Sequence, residues 1–234
     1  MNKRAISDKT DRAAAAGFWE QPEVVDEFAA RAADHRLALL VESYRDPGHI
    51  HVLDLGCAGG RNAEFLGARG FDVYALDTSQ AMVERTRQRL SAIVGVDDAR
   101  RRVQIGRMQK LDRFPAARFD LVLALGVYHN AAGREDFDCA LSETARVLAP
   151  GGQVLVAIFS PRSAPKGEPL VGVSAAEGLY AGFDSGTLYL LEADELDRAM
   201  SAHGMEPSEP TVTVSAATLE GYRMSVNGLY LKRA

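Results

Sequence analysis

The chain has 234 residues, and its 27 lysines and arginines against 32 aspartates and glutamates leave a formal net charge of −5. With 47% hydrophobic residues, the composition is that of a globular protein and excludes the disordered and collagen-like classes. The acidic balance disfavours nucleic acid and anionic membranes as partners, because their non-specific binders use a positive field.

Two helices are predicted before residue 47, and the turn Asp46-Pro47-Gly48 ends them. After this turn, short apolar strands alternate with amphipathic helices. The two first helices cover 22–33 and 35–44, the strands 51–55, 71–76, 102–105, 120–125 and 153–159, and the later helices 62–69, 80–94 and 137–148. Alternation at this spacing indicates βαβ units and a parallel sheet.

The chain after residue 159 departs from this alternation. Residues 160–186 are rich in Gly, Pro and Ser and show little periodicity, and residues 193–203 have the pattern of a helix. Two strands are predicted at 211–215 and 223–231. Because they are closely joined, these two strands must pair antiparallel.

The first predicted strand runs into a glycine-rich turn, Asp54-Leu55-Gly56-Cys57-Ala58-Gly59-Gly60, which opens a helix at Asn62. Glycine has no Cβ and lets a ligand approach the backbone, and a helix start presents free N–H groups. The spacing differs from the G-x-G-x-x-G of dinucleotide-binding folds, which disfavours a nicotinamide-dependent oxidoreductase. The negative charge of Asp54 would repel a pyrophosphate but would attract the amino group of a ligand. The alternative is a tight turn that only needs glycine.

Asp77 stands at the end of the second predicted strand. A carboxylate in this place can accept hydrogen bonds from two ribose hydroxyls. The alternative is that Asp77, Thr78 and Ser79 only cap the following helix.

These features, with Phe119–Leu125 and Arg146–Gly152, resemble the ordered motifs of class I S-adenosylmethionine-dependent methyltransferases over residues 52–156. The resemblance implies an α/β, doubly wound fold: a seven-stranded, mostly parallel sheet with an antiparallel last strand and helices on both faces. It implies an N-terminal helical cap over 1–46, and a methyltransferase domain over 47–234 with a substrate-recognition insert near 160–190.

The resemblance also implies S-adenosyl-L-methionine as the cofactor and no metal. The residues to which it assigns cofactor binding are Asp54, Gly56, Cys57, Ala58, Gly60, Asn62, Asp77, Thr78, Met82, Arg107, Met108, Leu125 and Gly126.

Two positions depart from the family pattern. Ala58 stands where the family usually has glycine, and its methyl group could narrow the cofactor pocket. Arg107 follows the third strand, where many members have an acid near the adenine amino group. Because arginine cannot accept that hydrogen bond, we assign the adenine contact to the backbone and to packing of Met108.

Tyr128 and His129 follow the fourth predicted strand, where the family's active site opens. Methyl transfer from a sulfonium is an in-line displacement that chiefly needs alignment, so catalytic residues can be few. A hydroxyl or protonated amine acceptor needs a base near the methyl group, and His129 is our candidate, with Tyr128 beside it. The alternative is that His129 only lines the pocket.

The sequence therefore predicts methyl transfer to O, N or another nucleophilic atom of a small-molecule acceptor. A cofactor-binding protein without catalysis and, with less support, an RNA methyltransferase are the alternatives. A solvated helix face and loop explain the arginines around 85–102 better than RNA does. The two cysteines, the polar N-terminus and the lack of an apolar 18-residue run predict a cytoplasmic protein without a membrane partner.

Overall fold

A computed structural model describes residues 17–174, 177–218 and 220–233 of the chain. Its helices are α1 (Pro22–Ala30), α2 (His35–Val41), α3 (Arg61–Gly67), α4 (Gln80–Val94), α5 (Val96–Arg102), α6 (Arg134–Val147) and α7 (Ala193–Ala202). Its strands are β1 (His51–Leu55), β2 (Asp72–Asp77), β3 (Val103–Ile105), β4 (Phe119–Leu125), β5 (Leu148–Phe159), β6 (Val171–Ser174), β7 (Leu179–Phe183), β8 (Gly186–Tyr189), β9 (Met205–Pro207), β10 (Val212–Ala217) and β11 (Tyr222–Lys232).

The main sheet has the strand order β10-β11-β5-β4-β1-β2-β3. β1 pairs in parallel with β2 and β4, β4 with β5, and β2 with β3. β11 runs antiparallel to both β5 and β10. The predicted seven-stranded, mostly parallel sheet with an antiparallel last strand is confirmed. The short strand β9 adds an eighth member, because it also pairs with β11.

Helices cover both faces of this sheet, so its central strands are buried on both sides. Alternate residues point to opposite faces, so Leu53 and Val122 belong to one apolar cluster, and Val52 and Leu123 to the other. The first cluster includes residues of α6 and α7, and the second includes residues of α2, α3, α4 and α5. This arrangement is the doubly wound fold that was predicted.

The longest helix shows how local sequence places an element at the sheet edge. Ser79 begins α4, because its side-chain oxygen accepts a hydrogen bond from the Met82 N–H at 3.1 Å. The buried face of the helix recurs at helical spacing through Met82, Val83, Thr86 and Leu90. Gly95, with φ of 87°, ends it.

The segment after β5 contains strands that the sequence pattern does not predict. β6, β7 and β8 form a separate antiparallel three-stranded sheet. Its apolar side is a small cluster of Phe183, Leu188 and Leu190, packed against Phe159 at the end of β5. This insert is therefore anchored on the edge of the main sheet where the parallel strands end.

The division of the chain at residue 46 stays a prediction. Residues 1–16 of the predicted cap lie outside the described residues, and α1 and α2 form most of the described remainder. Among the helices that the structure describes, none combines the length and the hydropathy that crossing a membrane requires.

Candidate functional site

The glycine-rich turn joins β1 to α3 in a backbone conformation that favours glycine. Gly56 and Gly60 have φ of 67° and 81°, and Ala58 has φ of 46°. The N–H groups of Gly56 and Cys57 donate to Leu76 O at the end of β2, at 2.8 and 3.0 Å. The turn therefore lies against the second strand as well as the first.

The same turn also packs against the loop that follows β4. A Cβ on Gly56 would come within 2.8 Å of the Val127 side chain, so only glycine fits there. β2 and β4 flank β1 on its two sides. In open α/β sheets, ligands bind at the carboxyl ends of strands where the strand order reverses. The turn occupies this place.

Asp77 ties the turn to the end of β2. Its two carboxylate oxygens accept hydrogen bonds from the N–H groups of Ala58 and Ser79, both at 2.9 Å. Burial raises the pKa of Asp77, and these backbone hydrogen bonds oppose the rise. Because the Ser79 side chain already caps α4, capping of this helix does not by itself explain why an acidic residue stands at position 77.

Asp54 places a buried carboxyl directly beneath the turn. It is 1% exposed, and in the described part of the chain its Oδ2 has no hydrogen-bond partner. Burial raises the pKa of Asp54 to about 7, with Arg61 lowering it and Asp77 raising it by smaller amounts. A buried acceptor without a donor is costly, so a ligand group that bears N–H would be stabilised here.

The segment before and within α1 covers the turn. A Cβ on Gly59 would come within 2.7 Å of the Cα and Cβ atoms of Ala29, so α1 packs directly on this glycine. Two residues before α1 bond to the start of α4. Trp19 O accepts from the Ser79 hydroxyl at 3.1 Å, and the Glu20 carboxylate accepts from the N–H groups of Gln80 and Ala81.

An aromatic group strengthens this cover. Trp19 meets both Phe18 and Phe28 edge to face, with ring centroids 5.0 and 5.2 Å apart. These rings pack on the cluster to which Met82 and Ala58 belong. The N-terminal segment therefore forms one wall beside the turn.

Several predicted cofactor residues turn their side chains into the protein. The Cys57 thiol lies 3.5 Å from the Thr86 hydroxyl, and burial raises its pKa well above the ordinary value. Asn62 Oδ1 accepts from the Asp34 N–H at 3.0 Å. Met82 is buried under α1. For these three residues, contact with a ligand would have to come from the backbone or from a limited part of the side chain.

The predicted residues after β2, β3 and β4 lie along the same edge. Thr78 and Arg107 are exposed, whereas Met108 is 7% exposed and belongs to the main core. Leu125 ends β4, and Gly126 follows it with φ of 87°. In the part of the chain that is described, no group of three or more His, Cys, Asp or Glu side chains is placed to hold a metal ion.

The structure does not bring Tyr128 to this site. Its side chain is fully buried in the core, and its hydroxyl lies 2.8 Å from the Thr144 hydroxyl of α6. Burial raises the pKa of Tyr128 well above its ordinary value. Because the ring points into the core, Tyr128 packs α6 against the sheet and is unsuited to catalysis.

Tyr128 and His129 belong to the 3-10 turn Tyr128–Asn130, and His129 lies on its other side. A Cβ on Gly126 would lie 3.5 Å from its Cε1, so the ring is beside the end of β4. Within the described ranges its buried Nδ1 has no hydrogen-bond partner. Burial first, and the charge of Arg223 second, lower the pKa of His129 to about 3. The ring is therefore neutral at pH 7.

Of three residues around His129, Phe183 lies in the predicted substrate-recognition insert, whereas Phe159 and Arg223 are absent from the sequence-based prediction. The His129 ring stacks on Phe159 at 4.5 Å and 7°, and Phe159 stacks on Phe183 at 5.3 Å and 4°. Arg223 Cζ lies 5.7 Å from the centre of the Phe159 ring. The sequence shows these residues only as members of separate strands or of an irregular segment, so no local motif groups them.

Residues 52–152 match the model of a family described as a methyltransferase domain. Among curated proteins, the chain is 27% identical over 169 residues to a ubiquinone biosynthesis O-methyltransferase of Chelativorans sp. (strain BNC1). The alignment covers 70% of this chain and 62% of that protein. The protein of the same name from Alkalilimnicola ehrlichii is 31% identical over 151 residues, covering 63% of this chain and 57% of that protein. The chain thus spans about three fifths of these relatives' length.

Among solved structures, the fold is similar to that of Burkholderia thailandensis 1,6-didemethyltoxoflavin-N1-methyltransferase, solved with bound 1,6-didemethyltoxoflavin and S-adenosylhomocysteine. The TM-score is 0.62 at 20% sequence identity, with 85% of this chain and 76% of that chain covered. This likeness concerns the fold.

Proposed function

We propose that this chain, whose residues 52–152 match a methyltransferase-domain model, transfers a methyl group from S-adenosyl-L-methionine to a hydroxyl oxygen of a small molecule. The observation that carries the proposal is that two carboxyl groups, those of Asp54 and Asp77, lie at the glycine turn. Asp54 lies buried beneath the turn with an unpartnered oxygen, and Asp77 holds the turn at the next strand.

The residues of this edge fit the donor. Asp54 would accept hydrogen bonds from the amino group of its methionine part, and Asp77 from its ribose hydroxyls. The turn from Gly56 to Gly60 allows close approach of the ligand to the backbone. Exposed Thr78 and Arg107 and the edge of Met108 are the proposed neighbours of the adenosine part. When bound, the donor supplies an electrophilic methyl group on a sulfonium.

His129 is the proposed acceptor-side residue. Its neutral ring can accept a hydrogen bond from a hydroxyl group, which aligns the oxygen for an in-line displacement. A ring with a pKa near 3 binds a proton only weakly at pH 7, so orientation is the larger part of this role. The names of the two curated relatives support oxygen as the nucleophile.

Calorimetry with S-adenosylhomocysteine tests the donor site. Hydrogen bonds to a charged group contribute roughly 1.5–3 kcal/mol each, so Asp77→Asn should weaken binding about tenfold or more. The matched control is Asp97→Asn, an exposed carboxyl in the first turn of α5, which should bind as the wild type does. Equal affinity of wild type and a folded Asp77→Asn variant would contradict the ribose assignment.

Methyl transfer is tested with radiolabelled donor and two fractions of one cell extract, small molecules and RNA. We expect label in the small-molecule fraction, carried by a base-stable ether. Label confined to RNA would overturn the acceptor class. Tight binding of S-adenosylhomocysteine with label in neither fraction would favour a cofactor-binding protein without catalysis.

A further inference from the structure

Four side chains from distant parts of the chain meet where β5 ends. We call His129, Phe159, Phe183 and Arg223 the acceptor cluster. Phe159 is the last residue of β5, and it pairs with Ser225 of the antiparallel strand β11. Arg223 precedes Ser225 by two residues, so it lies on the same face of the sheet, just beyond Phe159. This is the edge at which the glycine turn and His129 also lie.

Arg223 is a partly buried arginine without a counter-charge among the described residues; Arg61 also lacks an ion pair there, but its guanidinium donates a hydrogen bond to Ala32 O. Throughout the described residues Arg223 forms neither an ion pair nor a side-chain hydrogen bond, and its Nε is a buried atom without a partner. Arg162, which follows the same strand β5, pairs with Glu192 at 2.8 Å. Arg146 and Arg36 likewise pair with Glu143 and Asp34.

A buried N–H donor without an acceptor is costly, and the Nε of Arg223 is such a donor on a permanently charged group. The field of this group also reaches His129, where it helps to keep the ring neutral. The same positive potential stabilises a negative charge that is brought between them. The geometry therefore favours an anionic oxygen group at this end of the site.

The other members of the cluster set the shape of the partner. The rings of His129, Phe159 and Phe183 are nearly parallel, with interplanar angles of 7° and 4°. Leu188 and Leu190 of the insert are buried and pack against Phe183, which holds the stack in place. The stack covers both faces of Phe159, and His129 and Phe183 are buried, so the partly exposed edge of Phe159 beside Arg223 is the surface that this cluster offers to an aromatic ring.

We infer that Arg223 binds an anionic oxygen group of a planar aromatic acceptor whose ring packs against the acceptor cluster. The inference rests on the proposed function, since it assigns the substrate class of the same site. It makes Arg223 a specificity-determining residue, and it gives the insert a role in forming the acceptor side.

Two probes of equal shape and different charge test the inference. The protein, with and without S-adenosylhomocysteine, is titrated with naphthalene-2-carboxylate and with naphthalene-2-carboxamide in a calorimeter. A charged hydrogen bond contributes roughly tenfold to a hundredfold in affinity, so the wild type should prefer the carboxylate by at least about tenfold. Arg223→Met should remove this preference and leave carboxamide affinity within about twofold. Arg223→Lys should retain part of the preference.

Arg100→Met is the matched control. Arg100 is exposed on α5, beside β3 at the opposite edge of the main sheet, so its loss changes the net charge equally without touching the cluster. This variant should keep the carboxylate preference.

Three results would overturn the inference: equal affinities of the wild type for both probes, binding of neither probe, or an undiminished preference in Arg223→Met. S-adenosylhomocysteine binding is measured on every variant and confirms that each is folded. If the wild type failed to bind S-adenosylhomocysteine, the proposed function would fail, whereas the probe preference measured without it still decides the role of Arg223.

Discussion

Replacing Asp54 by asparagine should change how the stability of the ligand-free protein depends on pH. The Asp54 carboxyl is buried, one of its oxygens has no donor among the described residues, and burial raises its pKa to about 7. In the unfolded chain an aspartate ionises near 3.9. Between these two values the folded protein holds one proton more than the unfolded chain. Stability therefore falls as pH rises through this window and levels off above about pH 7.

The size of the effect follows from the two pKa values. About three pKa units at 1.36 kcal/mol per unit amount to roughly 4 kcal/mol over the whole window. Between pH 5 and pH 8 about two of these pKa units are crossed, so the free energy of unfolding of the wild type should fall by about 3 kcal/mol relative to that of Asp54→Asn. Because both proteins share every other ionisable group, taking the difference removes the remaining pH dependence.

Urea unfolding of the two proteins at pH 5, 6, 7 and 8 measures this difference. Asp97→Asn, which removes an exposed carboxyl, should give a difference from wild type that stays flat. Parallel stability profiles for wild type and Asp54→Asn would refute the reasoning. An ionised Asp54 in the free protein would give that result.

Three further predictions concern the turn and the acceptor side. Between pH 7 and pH 5, the free energy of unfolding of His129→Phe, measured in urea, should rise by about 2 kcal/mol relative to that of the wild type. The reason is that His129 becomes protonated below about pH 6.5 in the unfolded chain but stays neutral in the folded protein. Ala58→Gly should raise the free energy of unfolding by at most about 1 kcal/mol. The left-handed φ of Ala58 costs alanine roughly 1–2 kcal/mol, and glycine offsets part of this gain because it loses more chain entropy on folding. A lower melting temperature of the variant would contradict this. Gly59→Ala should cost about 1–3 kcal/mol by displacing Ala29, whereas Gly48→Ala, with no atom nearer than 3.8 Å, should stay within about 0.5 kcal/mol.

The main sheet could be predicted from the sequence because each of its strands and helices is marked by a pattern within its own residues. A strand such as β4, with continuous apolar residues, reads as a strand buried on both faces, and amphipathic α4 reads as a helix. Their alternation then restricts the topology. α5 could not be predicted in this way, because Ala99 is its only buried residue and no apolar period marks it.

Neighbours within a short turn could not be told apart. Tyr128 and His129 are adjacent, and the pattern predicts both as candidates for the same site. A 3-10 turn points successive side chains in different directions, so one enters the core beside Thr144 and the other faces Gly126. Only the packing of α6 decides which of the two side chains enters the core and which faces the site.

The donor and acceptor sides of the site differ in how the chain encodes them. Asp54, the glycines and Asp77 follow one another within one βαβ unit, so their spacing is a readable motif. Phe159 and Arg223 meet only because β11 pairs antiparallel with β5, and Phe183 joins them through a sheet with little sequence periodicity. Long-range pairing leaves no spacing rule in the sequence. For this fold, the donor can therefore be inferred from motifs, whereas the acceptor class has to be inferred from charges and rings that the folded chain brings together.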